Sequence, residues 1–247
     1  LVFISGAGLE DGFIDDLIVS PVSSRVVDLS ADLNLRTIGH EEESGHEEES
    51  GHEEESDKQH ENRHGRHNHS SVDPHVWMDP IIVIDWTEEI AKVLSEIDPG
   101  HKDYYFQRAE LLVEKLIELD EWITKEVAGI PAKRRILVTD HDVLGYFASR
   151  YGFDVIDTYI PGFSTAAEPS ARHLANLGEI IAEHKVSTVF VSTTAGHQVV
   201  TALSNEFGVE VVDILAGSLT DVDGPASNYQ DFIRTNVRRI VSALDSY

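Results

Sequence analysis

The sequence predicts an α/β protein with a parallel sheet covered by helices. Three patterns predict it. After Gly129-Ile130-Pro131, short apolar runs alternate with helical stretches of ten or more residues up to the C-terminus. Between residues 80 and 127, two segments carry apolar side chains at helical spacing. At the start, the apolar run Leu1 to Ser5 is closed by Gly6-Ala7-Gly8, as a buried strand would be.

Taken in order, Leu1 to Ser5 predicts a strand, Leu9 to Leu17 a short helix and Ser24 to Asp28 a short strand. Pro80 to Ile97 places Ile81, Ile84, Ile90, Val93, Leu94 and Ile97 on one helical face and stops at Asp98-Pro99-Gly100. His101 to Val127 predicts a longer helix, with Tyr105, Leu112, Leu116, Leu119 and Ile123 between charged residues. Strands are then expected at Arg135–Thr139, Val155–Tyr159, Thr188–Ser192 and Val209–Ile214. Helices are expected at Asp142–Tyr151, Ser170–His184, His197–Phe207 and Asn228–Leu244. The second half is thus a full strand–helix domain, and the first half has too few strands for one. A chain opening on a buried strand leads us to expect that part of the first half lies upstream of Leu1.

The chain has 247 residues, enough for one large domain or two ordinary ones. Nineteen Lys and Arg stand against 45 Asp and Glu, for a net charge of −26. That balance excludes a nucleic-acid binder, which needs clustered cations to neutralise phosphates. There is no Cys, so thiolate metal sites, disulfides and thiol nucleophiles are excluded. The 33 residues from 39 to 71 contain no aliphatic or aromatic side chain and open with three copies of GHEEES. They hold seven histidines (His40, His46, His52, His60, His64, His67 and His69) and eleven carboxylates against three cations. Such a segment buries too little apolar surface to offset its ordering entropy, and reads as a disordered loop.

Two clusters carry candidate chemistry. In Asp73-Pro74-His75-Val76-Trp77-Met78-Asp79-Pro80, a histidine sits between Pro-bracketed turns. It reads either as a metal ligand or as a turn histidine capping the helix at Pro80. In Thr139-Asp140-His141-Asp142, a histidine follows a strand end, where open α/β sheets place their ligands. Asp140 and Asp142 either orient its ring or cap the following helix. His197 also follows a strand end, and reads as a helix-start residue or as part of the same edge. His173, His184 and His101 read as helix residues. His60-Glu61-Asn62-Arg63-His64 matches the zinc-protease spacing, but no apolar face would hold that helix.

Together these stretches resemble the zinc/manganese class (cluster A-I) of substrate-binding proteins of metal ABC importers. The matching segments are LVFISGAGLEDGFIDDLI, DPHVWMDP, DPGHKDYYFQRAELLVEKLIELD, LVTDHDVLGYFASRYGF, AAEPSARHLANLGEII and GSLTDVDGPASNYQDFIRTNVRRIV. They cover most of the chain outside the loop, in family order. An acidic His-rich loop before the DPH motif is similar to that of the zinc-importing branch.

The resemblance implies two α/β lobes with parallel sheets, joined by one long α-helix, the first lobe being incomplete. Residues 1–100 would form the first lobe, including the 39–71 loop. Residues 101–128 would form the connecting helix and 129–247 the C-terminal lobe. Metal would lie between the lobes, with His75 and His141 as ligands. Manganese-specific members usually carry Glu at the second of these positions, so His141 favours Zn2+ over Mn2+. Two departures follow. The family's first His ligand would precede Leu1, and the acidic residue often found before its Ser-Leu pair is Gly217 here. Asp221, Asp140, Asp142 or His197 would supply or support what is missing.

The expected function is an extracytoplasmic protein that captures zinc and delivers it to an ABC importer permease. It would work as a monomer, in the periplasm or on the outer face of the cell membrane, with or without a lipid anchor. A metal-buffering or adhesion protein served by its loop is the first alternative. A zinc hydrolase using bound water, with Asp140 or Asp142 as base, is the second.

Overall fold

The computed structural model describes residues 1–14, 25–37, 72–160, 162–163, 169–194 and 197–245. The 39–71 segment and its seven histidines lie outside the described residues. The first half holds a two-stranded parallel sheet of β1 (Val2–Ile4) and β2 (Val26–Asp28). Then come α1 (Pro80–Ile97) and α2 (Lys102–Ala128). The second half runs β3 (Ile136–Thr139), α3 (Gly145–Tyr151), β4 (Asp154–Thr158), α4 (Ala171–His184), β5 (Thr188–Ser192), α5 (His197–Phe207), β6 (Glu210–Ile214) and α6 (Tyr229–Asp245). Both sheets are parallel, as expected, and the larger has the order β4-β3-β5-β6.

That order contains a reversal. The chain moves from β3 outward to β4, then crosses back to β5 on the other side of β3. The crossover helices therefore fall on opposite faces, and a crevice opens beyond the strand ends between β3 and β5. The period-two alternation of the strands serves both faces. Leu137 and Phe190 join α2, α3 and α6 in one core, while Val138, Val189 and Val191 join α4 and α5 in the other. All five of these side chains are fully buried.

Two sequence expectations need correction. Asp142–Tyr151 becomes helical only at Gly145, because residues 140–144 are used otherwise: Val143 N–H and the Thr139 hydroxyl both donate to the His141 carbonyl. The helix expected over Leu9–Leu17 is a series of turns as far as it is described, with a first helical residue only at Ile14. Positive φ at Gly6, Ala7 and Gly8 winds the chain there, and the Glu10 carboxylate accepts from the N–H groups of Ser5 and Gly6.

The long helix α2 serves both halves. Its apolar positions Leu116, Leu119, Ile123 and Val127 are buried in the larger core. The Trp122 ring lies under two α6 cations, with the guanidinium carbons of Arg234 and Arg238 at 4.5 and 5.7 Å. Arg150 of α3 reaches both Asp120 of α2, at 2.7 Å, and Asp79 at the start of α1, at 3.3 Å.

Candidate metal centre

His75 sits in the Pro-bracketed turn before α1. The helix is capped by Asp79, whose carboxylate accepts from Ile81 N–H at 2.8 Å. His75 makes no side-chain cap bond to the short 3-10 turn that follows it. Its ring is therefore spared the capping role that the sequence left open. Instead, His75 Nδ1 lies 3.0 Å from Asp73 Oδ1, and its backbone N–H donates to the same oxygen at 2.9 Å. Trp77 pins the turn to the segment after β6, donating from Nε1 to the Ala216 carbonyl at 2.8 Å, and Tyr229 donates back to the Trp77 carbonyl.

His141 follows β3 at the reversal of strand order. Asp140 N–H donates to the Phe190 carbonyl, which continues the β3–β5 pairing by one residue and fixes the His141 backbone. His141 Nδ1 lies 2.9 Å from Asp140 Oδ1. The Asp140 side chain thus orients the ring and does not cap α3, whose N-cap makes no side-chain bond. Asp142 uses its backbone N–H on the Gly162 carbonyl. Burial, and after it the charge of Asp73, push the Asp142 carboxyl above its usual range.

The tertiary structure brings the two histidines together. Their ring centroids are 5.3 Å apart at an interplanar angle of 64°. Both rings are buried, as are Asp73 and Asp140. A carboxylate only accepts, so Nδ1 of each ring carries a proton, and in the neutral imidazole Nε2 keeps its lone pair. This is the pairing by which carboxylates orient metal-binding imidazoles. With zinc–nitrogen bonds of about 2.0–2.1 Å, two imidazoles on one tetrahedral ion have centroids about 5 Å apart, which matches the observed spacing. Trp77 and Phe163 flank His75 at centroid distances of 5.4 and 6.1 Å and limit access of water.

The remaining candidates are placed elsewhere or not described. Among the described residues no group of three or more His, Asp or Glu side chains converges as a metal site. Asp221 is exposed in the loop before α6 and does not join the pair. His197 opens α5, but its side chain is outside what is described. Gly217 lines a pocket of about 360 Å³ beside Trp77, and the space where a Cβ would stand is open. His173 points Nε2 at the Thr158 carbonyl at 2.6 Å, and His101 pairs with Asp98. Sequence reasoning missed Arg36 and Tyr146. Arg36 pairs with Asp73 Oδ2 at 2.8 Å, and the Tyr146 hydroxyl donates to the Asp73 carbonyl at 3.0 Å. Their only sequence signal is a lone cation before the loop and an aromatic after the TDHD cluster.

The fold, parallel sheets flanked by helices with a long helix between the two halves, defines a class of α/β binding protein. The family described as ZnuA, zinc-uptake complex component A periplasmic, matches residues 1–243, and the chain belongs to it. The chain is similar to the zinc-binding protein TroA of Treponema pallidum, 33% identical over 168 residues, covering 64% of this chain and 54% of TroA. It is also similar to the manganese-binding lipoprotein MntA of Halalkalibacterium halodurans, 30% identical over 163 residues, covering 66% of this chain and 54% of MntA. It therefore spans about half the length of these relatives. The solved periplasmic zinc-binding protein TroA superposes with a TM-score of 0.78 at 25% identity, over 98% of this chain and 79% of that one. The expected architecture of two lobes with parallel sheets flanked by helices is thereby borne out.

Proposed function

We propose that this protein captures a divalent metal ion as cargo between its two lobes, through His75 and His141, and passes it to the permease of an ABC importer outside the cytoplasm. The observation that carries this reading is the pair of buried, carboxylate-backed imidazoles at a separation that suits one shared ion. Residues 1–100 serve as the first lobe, 101–128 as the connecting helix and 129–247 as the second lobe. Zinc is the preferred cargo, because a borderline-soft ion without geometric preference suits two neutral imidazoles. Manganese, named for the relative MntA, favours a harder oxygen-rich shell. Two imidazoles leave room for further donors. His197 or water completes the shell.

The 39–71 segment acts as a low-affinity zinc collector. Its seven histidines have no apolar scaffold, so each binding event must order chain. Zinc needs neutral imidazole, so this binding fades as pH falls through about 6.5. A zinc hydrolase is disfavoured at one of its two candidate bases, because Asp140 is engaged in orienting the His141 ring. The test is metal content and zinc affinity of the chain with and without residues 39–71. A capture protein keeps one tight zinc after the deletion. A buffering protein loses nearly all binding, and a hydrolase shows turnover in either form.

A further inference from the structure

The two histidines are supported unequally. His141 leans on its sequence neighbour Asp140, whose Oδ2 is buried and has no hydrogen-bond partner among the described residues. His75 leans on Asp73, which is gripped on every side. Asp73 Oδ1 serves His75, and Oδ2 accepts from the Arg36 guanidinium at 2.8 Å. Asp73 N–H donates to the Arg36 carbonyl at 2.8 Å, and Asp73 O accepts from the Tyr146 hydroxyl. Arg36 N–H donates to that same hydroxyl at 3.1 Å, and its guanidinium carbon lies 5.7 Å from the Tyr146 ring centre. Arg36 belongs to the β1–β2 half, whereas Tyr146 lies in α3 beside the larger sheet.

Gly145 makes the seat possible. A Cβ at this position would stand 1.3 Å from the Arg36 guanidinium nitrogen and 2.6 Å from Asp73 Oδ2. Any side chain there would push the cation out and press on the carboxylate. Glycine is otherwise a poor choice for a helical position, and its φ at Gly145 is not in the left-handed region. Its lack of a side chain leaves the space that the Arg36 guanidinium occupies.

We propose that Arg36, seated against Gly145 and Tyr146 and paired with Asp73, is a positioning residue that holds the His75 imidazole in its metal-binding orientation across the two halves of the molecule. This rests on the reading of His75 and His141 as the metal ligands. The physical reason is that a carboxylate with one bonded oxygen can still turn about its Cβ–Cγ bond. Bonding of both oxygens, one to the ring and one to a cation, fixes its plane and so the plane of the ring. Loss of the cation leaves Oδ2 unpaired in a site where Asp73 is only 1% exposed.

The experiment is a set of double-mutant cycles on the full chain, with Zn2+ affinity read by competition with a chelator and the thermal midpoint read alongside. Arg36→Met and Gly145→Ala should each weaken zinc binding about tenfold, the lower end for residues that orient a metal ligand. In a His141→Ala background the Arg36→Met loss should persist at about tenfold. In a His75→Ala background it should shrink to less than about twofold, because the group it positions is gone. Arg36→Lys, which keeps the charge but not the fork, should fall between parent and Arg36→Met. Equal losses in both backgrounds, or a lowered thermal midpoint with unchanged affinity, would overturn the proposal and leave Arg36 as a fold contact. If Arg36→Met does not fold, Gly145→Ala runs the same cycle, since it changes no charge and raises helix propensity. If His75→Ala alone leaves affinity unchanged, the ligand reading has failed and the proposal falls with it. That result is distinct from an effective His75→Ala beside a silent Arg36→Met.

Discussion

The turn before α1 and the end of β3 each present one histidine, but they hold it by different means. In the larger half, His141 is fixed by local chain: it follows a strand, its carbonyl takes two local bonds, and its ring partner is the preceding residue. In the smaller half, His75 has no sheet beneath it. Its turn is held by Asp73, Arg36 and Tyr146 on one side and by Trp77, Ala216 and Tyr229 on the other. One imidazole is placed by secondary structure and the other by long-range side-chain contacts. The first should survive most changes elsewhere, and the second should be sensitive to them.

The largest expected effect comes from removing the two imidazoles proposed as ligands. His75→Ala and His141→Ala should each weaken zinc binding at least tenfold, about 1.4 kcal/mol or more, and the pair at least a hundredfold. Competition with a chelator measures this, and a double mutant that binds like its parent would refute the assignment.

Next come the two carboxylates behind the rings, where the halves should diverge. Asp73→Asn and Asp140→Asn should both lower zinc affinity by about tenfold or more. Only Asp73→Asn should also cost stability, by about 1–2 kcal/mol. It strands the Arg36 cation, and the value is moderated because that side chain is 36% exposed. Urea unfolding of the two variants separates the cases. Equal stability losses would mean that the two supports do not differ.

The three-helix clamp at Arg150 offers a pH-dependent break. Burial raises the Asp79 carboxyl, against the Ile81 N–H and Arg150. Burial also pushes Asp120 upward, but hydrogen bonds from Arg150 and Tyr151 outweigh it and hold Asp120 below its usual range. Asp120 thus contributes stability that is full above the ordinary carboxylate pKa and lost as pH falls through its lower folded value. Asp79 has the opposite sign: its contribution is full in acid and lost as pH rises through its raised folded value. Arg150→Leu leaves both carboxylates facing each other without their cation. Its cost should be about 1–3 kcal/mol at pH 7 and should shrink toward pH 4, as protonation relieves the pair. Thermal midpoints at the two pH values test this, and a deficit that grows in acid would contradict it.

The smallest effect belongs to the joint between α2 and the larger half. Trp122→Leu removes the ring beneath Arg234 and Arg238. It should cost about 1 kcal/mol and lower the thermal midpoint by roughly 2–4 °C. Zinc affinity should stay within about twofold, since Trp122 belongs to neither support. A tenfold loss would show that the long helix transmits strain to the cleft.

Most of the secondary structure was legible in the sequence. The spacing of Ile84, Ile90 and Leu94 predicts α1, and the apolar run TVFVS predicts β5, while the split of Phe190 and its flanking valines between the two cores is seen only in the structure. His141 was legible as a candidate because a strand end is a local feature. The start of α3 was misplaced by three residues, because Asp140 and Asp142 look like capping residues. Only the neighbouring ring and the Gly162 carbonyl show that they are used otherwise. Arg36 was not legible at all. Its partner Tyr146 lies 110 residues away, and nothing around either residue announces the other.

The sequence by itself determined the strands, the long helices and the two motifs that carry His75 and His141. Those follow from side-chain periodicity and turn chemistry acting over a few residues. Only the tertiary structure decided that the two imidazoles lie 5.3 Å apart, that Asp73 is held by Arg36, and that Arg36 fills the space left by Gly145. These depend on where the β3–β5 reversal and the docking of the Trp77 turn bring distant chain segments. Close packing sets such distances to within a few tenths of an ångström, and local pattern carries no record of them.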